Sequence, residues 1–149
     1  MYRHILIPTD SSDFAHRAVP HGLYLAKALG AKVTALIVEH TFNVYNVPES
    51  KILDSLSDEF ADYTKHVREH AKRVLAAVAQ DAKAAGVPCS TMQVVGDHAY
   101  QAIIRAAEDK GCDLIVMASH GRSGITGLVL GSVTTKVLTH TKIPVLVCH

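Results

Sequence analysis

The stretch Asp113-Leu-Ile-Val-Met-Ala-Ser-His-Gly-Arg-Ser-Gly-Ile-Thr-Gly-Leu-Val-Leu-Gly-Ser-Val-Thr-Thr135 runs from a buried strand through a glycine-rich turn into a fresh helix. Leu114-Ile-Val-Met117 joins four large apolar residues without helical spacing, the pattern of a strand covered on both faces. Ala118-Ser-His-Gly121 follows, where small residues let the backbone turn sharply and admit another group closely. Gly124, Gly127 and Gly131 come next, and Ser132 is placed to cap a helix through Val133, Val137 and Leu138. A strand end, a glycine-rich loop and a helix N-terminus together suit a phosphate, because free N–H groups and the positive end of the dipole point at the anion. The segment holds neither G-x-x-x-x-G-K-[ST] nor G-x-G-x-x-G, so it is not a P-loop or a dinucleotide fingerprint. From the glycines alone, a plain surface loop between strand and helix is the competing reading.

The same strand-then-helix alternation extends in both directions. His4-Ile-Leu-Ile-Pro8 reads as the first strand, and Thr9-Asp10-Ser11-Ser12 as a turn and N-cap. The helix that follows carries Ala15, Ala18, Val19, Gly22, Leu23, Ala26 and Leu29 on one face and ends at Gly30. Lys32-Val-Thr-Ala-Leu-Ile-Val38 is a second buried strand. From Glu39 to Ser55 the pattern is lost, which predicts an irregular connection. A long helix carries Leu56, Phe60, Tyr63, Val67, Val74, Val78, Ala82 and Ala85, and Gly86-Val-Pro88 stops it. Cys89-Ser-Thr-Met-Gln-Val-Val95 is an amphipathic strand that belongs near a sheet edge. A helix through Ala99, Ile103 and Ala107 ends at Gly111, and Asp113 to Met117 forms the fourth strand. Ile143-Pro-Val-Leu-Val-Cys148 is the fifth. Such alternation predicts a single domain over residues 1–149, an α/β doubly wound five-stranded parallel sheet of strand order 3-2-1-4-5 with helices on both faces. Ligands of such sheets bind beyond the carboxyl ends of the strands, where the strand order reverses.

Composition narrows the function classes. The formal net charge is +1, so no bulk field draws the chain to nucleic acid or to anionic lipid. No apolar run reaches the length of a bilayer span, and Met1-Tyr-Arg-His leads straight into a strand rather than a secretory leader. Cys89, Cys112 and Cys148 are odd in number and lack C-x-x-C spacing, which predicts reduced thiols in a cytoplasmic protein.

Several residues fit chemistry. Asp10, just past the first strand, suits either a turn-capping role or acceptance of hydrogen bonds from a ribose or base. His120 lies inside the glycine-rich stretch, placed either for a phosphate or for solvent. His66 and His70 share one helix face without the acidic partner of an H-E-x-x-H motif, which predicts solvated histidines rather than a metal site. No catalytic triad and no G-x-S-x-G elbow is legible, so no enzyme is expected. Cys112 precedes a buried strand and reads as packing.

The chain resembles the universal stress protein family along nearly its whole length, from Ile5-Leu-Ile-Pro-Thr-Asp10 to Ile143-Pro-Val-Leu-Val147. The most specific likeness is to the signature G-x2-G-x9-G-[S/T] of the ATP-binding branch. Here it reads Ala118-Ser-His-Gly121, nine residues, then Gly131-Ser132, with spacing intact and alanine in place of the first glycine. The resemblance implies that Pro8, Thr9, Asp10 and Val38 flank adenine and ribose, with Met117 and Ala118 beneath the nucleoside. It implies that Gly121, Arg122, Gly131, Ser132 and Val133 surround the phosphates of ATP, with or without magnesium. Arg122 suits that role because a guanidinium binds phosphate through paired hydrogen bonds. The resemblance further implies a homodimer through Val145-Leu-Val147, a regulatory role in stress and a protein partner that the sequence does not name. The alternative reading is a dimeric interaction module that binds no nucleotide, and it draws on the extra methyl of Ala118.

Overall fold

The computed structural model describes residues 1–10, 12–40, 56–120 and 130–149. In chain order they form β1 (His4–Thr9), α1 (Asp13–Leu29), β2 (Lys32–Glu39), α2 (Leu56–Ala85), β3 (Cys89–Val95), α3 (Ala99–Lys110), β4 (Leu114–Ala118), α4 (Ser132–His140) and β5 (Val145–Cys148). Among the described residues the five strands make one sheet of order β3-β2-β1-β4-β5. Every pairing is parallel, with Ile5 opposite both Val33 and Leu114, and Ala118 opposite Cys148. The expected topology therefore holds, and β1 and β4 are neighbours.

The alternation of side chains along a strand divides the core into two layers. Ile5, Ile7, Val33, Ala35 and Val116 point to the face covered by α1 and α2, where Ala18, Val19, Leu75, Val78 and Ala82 meet them. Leu6, Leu36, Ile115 and Met117 point to the other face, covered by α3 and α4 through Ile103, Ala106, Ala107 and Val137. Central strand β1 is buried at every position, whereas β3 is half-exposed along its length, as suits an edge.

Boundaries depart from the sequence reading where tertiary contacts decide them. β1, β2 and β4 each run one residue further, to Thr9, Glu39 and Ala118, because neighbouring strands supply partners there. β5 begins at Val145 rather than Ile143, since Pro144 has no N–H to give the ladder. Asp113 stands just before β4, and its carboxylate accepts the backbone N–H groups of Arg3 and His4 at 2.9–3.0 Å. Burial works to raise its pKa, but those N–H groups outweigh it and hold the carboxyl below its usual range. Leu29, expected on the buried face of α1, is 42% exposed because it sits in the last turn, beyond the sheet. Tyr63 of α2 is likewise exposed, and within residues 61–85 of that helix the first buried position is Ala71. Residues 41–55, most of the expected irregular connection, lie outside the described residues, as do Gly121, Arg122, Gly124 and Gly127. No described helix is long and apolar enough to cross a membrane.

Candidate functional site

The site lies where the strand order reverses, above the carboxyl ends of β1 and β4. Thr9 closes β1, and Asp10 turns the chain toward α1. Asp10 Oδ1 accepts the backbone N–H of Ser12 at 3.0 Å and its hydroxyl at 2.5 Å. Ser12 in turn is the N-cap of α1, accepting the N–H of Ala15 at 3.1 Å. A capping role for the Asp10 turn is thus observed, in a residue that also lines the cleft.

On the other side β4 ends at Ala118. This residue is extended and paired with Cys148, a conformation with negative φ that alanine adopts as readily as glycine. The next residue, Ser119, is 5% exposed. Its N–H donates to Cys148 O at 2.7 Å, and its C=O accepts the N–H of Gly131 at 2.7 Å. The second bond pulls the start of α4 against the end of β4. Thr134 reinforces it, donating its hydroxyl to Ala118 O at 2.9 Å. The helix itself differs from expectation at its first residues. Gly131 is the N-cap, with φ −59° and ψ 151°, and Ser132 is the first helical residue. Gly131 has no side chain and makes no capping bond to the first turn, whose residues Ser132, Val133 and Thr134 line the cleft. The positive end of the α4 dipole lies at the same turn.

Between these elements is a cleft of about 210 Å³. Pro8, Thr9, Asp10, Val38, Met117, Ala118, His120, Gly131, Ser132 and Val133 all line it. Of the residues expected at the nucleotide site, Gly121 and Arg122 lie outside the described residues. Ala15, His40, Ala99, Ile103 and Thr134 also line the cleft and were not foreseen. His40 was findable by the rule that found Asp10, since it follows the carboxyl end of β2. Ala99 and Ile103 were recognised only as the packing face of α3, and Thr134 sits in the first turn of α4. The wall is apolar on the α3 side, and polar groups from Asp10, His120 and the α4 N-terminus converge from the others. That division suits a ligand with a flat apolar part and an anionic part.

The remaining candidates stay apart from this cleft. His66 bonds Asp62 O through Nδ1 at 2.7 Å, and no metal-binding cluster occurs among the described residues. Burial, with the charge of Asp113 adding to it, pushes the Cys112 thiol up to about 11. Cys112 is buried in the core cluster with Leu6, Ile103 and Ile115, where it serves packing as expected.

A model of the universal stress protein family matches residues 1–149. The chain belongs to the universal stress protein family. Among universal stress proteins, it is 31% identical to MJ0577 of Methanocaldococcus jannaschii over 157 residues, covering 99% of this chain and 94% of that one. The solved structure of MJ0577 superposes with a TM-score of 0.77, covering 99% and 95% of the two chains. UspA of Lactobacillus plantarum superposes with a TM-score of 0.84 at 26% identity, covering 99% of this chain and 98% of that one. A universal stress protein solved in complex with cAMP superposes with a TM-score of 0.69 at 26% identity, covering 99% and 97%.

Proposed function

We propose that the cleft binds ATP, with or without magnesium, and that this universal stress protein is a nucleotide-dependent regulator of the stress response rather than an enzyme. The observation that carries the reading is the convergence of ten motif residues from β1, β2, β4 and α4 on one cleft. Pro8, Val38 and Met117 offer an apolar slot for adenine, and Asp10 an acceptor for the nucleoside hydroxyls. Gly131, Ser132 and Val133 present first-turn N–H groups to the phosphates, where the helix dipole favours an anion. The universal stress protein solved with cAMP supports an adenine nucleotide as the ligand class. The three unpaired cysteines agree with a reducing, cytoplasmic setting.

Calorimetry on protein stripped of nucleotide tests this reading. ATP should bind more tightly than adenosine, because most of the proposed donors address phosphates. Asp10→Ala should weaken both ligands alike, by about 1–3 kcal/mol, the worth of hydrogen bonds to a charged group. Asp10→Asn keeps an acceptor for Ser12 and separates loss of the turn from loss of the charge. Absence of ATP binding at millimolar concentration would leave the nucleotide-free interaction module as the better reading.

The proposal includes a homodimer through β5. Leu146 is 42% exposed on a strand at the sheet edge, where unpaired backbone groups invite a second strand. Light scattering should report a dimer for the wild type and a shift to monomer for Leu146→Lys. A monomeric wild type would remove β5 as an interface.

A further inference from the structure

β3 is an outer strand of the sheet, and among the described strands it pairs only with β2. Val33 N–H donates to Pro88 O at 2.8 Å, and Gly96 N–H donates to Glu39 O at 2.9 Å. Backbone groups alternate sides along a parallel strand, so those of Ser90, Met92 and Val94 also face β2. The N–H and C=O groups of Cys89, Thr91, Gln93 and Val95 therefore point away from the sheet, and no backbone bond among the described residues meets them. Such an edge is usually blunted by a lysine, a proline, a bulge or a short strand. β3 has none of these. Cys89–Val95 is 7 residues long, against 4 for the opposite edge at β5. It carries no charged residue and no proline, and its register with β2 is unbroken from Cys89 to Val95.

A groove flanks this edge on each face of the sheet. On the α3 face about 390 Å³ lies open over Met92, Val94, Ala102 and Ala106, and the Arg105 that borders it is paired with Asp109 at 3.9 Å. On the α2 face about 270 Å³ lies open beside Thr91, Gln93 and Leu75, with Lys72 at its border. Lys72 is exposed and makes no ion pair among the described residues.

We propose that the free edge of β3 docks an extended segment of a partner protein, which adds a strand to the sheet and alternates apolar with acidic side chains. Its backbone satisfies the outward groups of Thr91 and Gln93, and its successive side chains fall on opposite faces. Those on the α3 face meet an apolar floor whose cation is already paired. Those on the α2 face meet Lys72, which calls for a carboxylate. A second copy of this chain fits less well, because a two-fold through the middle of β3 keeps α2 on one face and brings Lys72 toward its own symmetry mate. The inference stands independently of nucleotide binding.

The probes are end-blocked, fluorescent peptides of about ten residues, alternating valine with glutamate or valine with lysine, titrated into the full chain by anisotropy. The glutamate peptide should bind about fivefold more tightly than the lysine peptide, and Lys72→Glu should reverse the preference. Methylating the backbone nitrogen of every valine, or of every glutamate, leaves the charge unchanged. Only one of these sets faces β3, so one methylated peptide should lose about tenfold or more while the other stays within about threefold. Thr91→Pro removes an outward N–H without touching the β2 ladder, and should weaken the unmethylated peptide by a similar factor with circular dichroism unchanged. Should that variant misfold, the methylated peptides decide the matter on the wild type. Equal affinities for the two methylated peptides, no preference between glutamate and lysine, or no binding at millimolar peptide would each overturn the inference. So would an oligomer that dissociates in Thr91→Pro, since the edge would then belong to a second copy.

Discussion

Gly131→Val should abolish ATP binding, lowering affinity by about 100-fold or more, a loss of about 2.7 kcal/mol at the threshold. Gly131 lines the cleft at the point where α4 begins, and its N–H is committed to Ser119 O at 2.7 Å. A branched side chain there fills the space in front of the first-turn N–H groups, which the proposed phosphates need. The backbone does not object, because φ −59° and ψ 151° are open to any L-residue. Valine is a poorer N-cap than glycine, at a cost of about 1 kcal/mol. For a chain of this size that lowers the melting temperature by about 2–4 °C. Calorimetry and a thermal melt on the same preparation separate the two effects. ATP affinity within about threefold of wild type would show that phosphates do not pass Gly131.

Such a site was partly legible in sequence because its elements announce themselves locally. The apolar run at Leu114 to Met117 and the glycine spacing beyond it name a strand and a helix start without reference to the rest of the chain. Ser12 was recognisable as an N-cap, and the structure shows its hydroxyl holding Ala15 N–H. Ser132 carries the same local signal, yet Gly131 takes the cap position. The bond from Gly131 N–H to Ser119 O fixes the backbone one residue earlier, and that bond joins segments twelve residues apart in sequence. The β5 boundary failed for a similar reason. Ile143 and Val145 are equally apolar, and both pack against the α3–α4 face, but only the ladder beside β4 decides which residue is strand. Ala99 and Ile103 reach the cleft through topology alone. No local pattern marks them, and the neighbourhood of β1 and β4 has to be known before their place can be read.

Gly22 shows the same dependence on topology, and it sets how closely α1 lies on the sheet. A methyl added at Gly22 would stand 2.4 Å from Ile7 Cδ1, 3.0 Å from Ile7 Cγ1 and 3.6 Å from Val116 Cγ1. Ile7 and Val116 are both fully buried, so neither side chain has open space to swing into. Alanine favours a helix interior over glycine by about 1 kcal/mol. Overpacking a closed core costs about 1–3 kcal/mol, so Gly22→Ala should be destabilising on balance, measured by urea unfolding. Ile7→Val removes the Cδ1 methyl at fault and by itself costs about 0.5–1.5 kcal/mol. In combination the two changes exchange one methyl for another at the same contact, so the double variant should be more stable than Gly22→Ala alone. That coupling carries the argument, because non-interacting substitutions add. It also reaches the cleft, since Ile7 is followed by Pro8 and Thr9, Val116 by Met117, and α1 begins at the Ser12 cap bonded to Asp10. A helix pushed outward at Gly22 should therefore weaken ATP as well, and Ile7→Val should restore part of that affinity. Additive costs in the cycle, or a Gly22→Ala protein as stable as wild type, would mean that the sheet yields at Ile7 and that α1 does not set the spacing of the site.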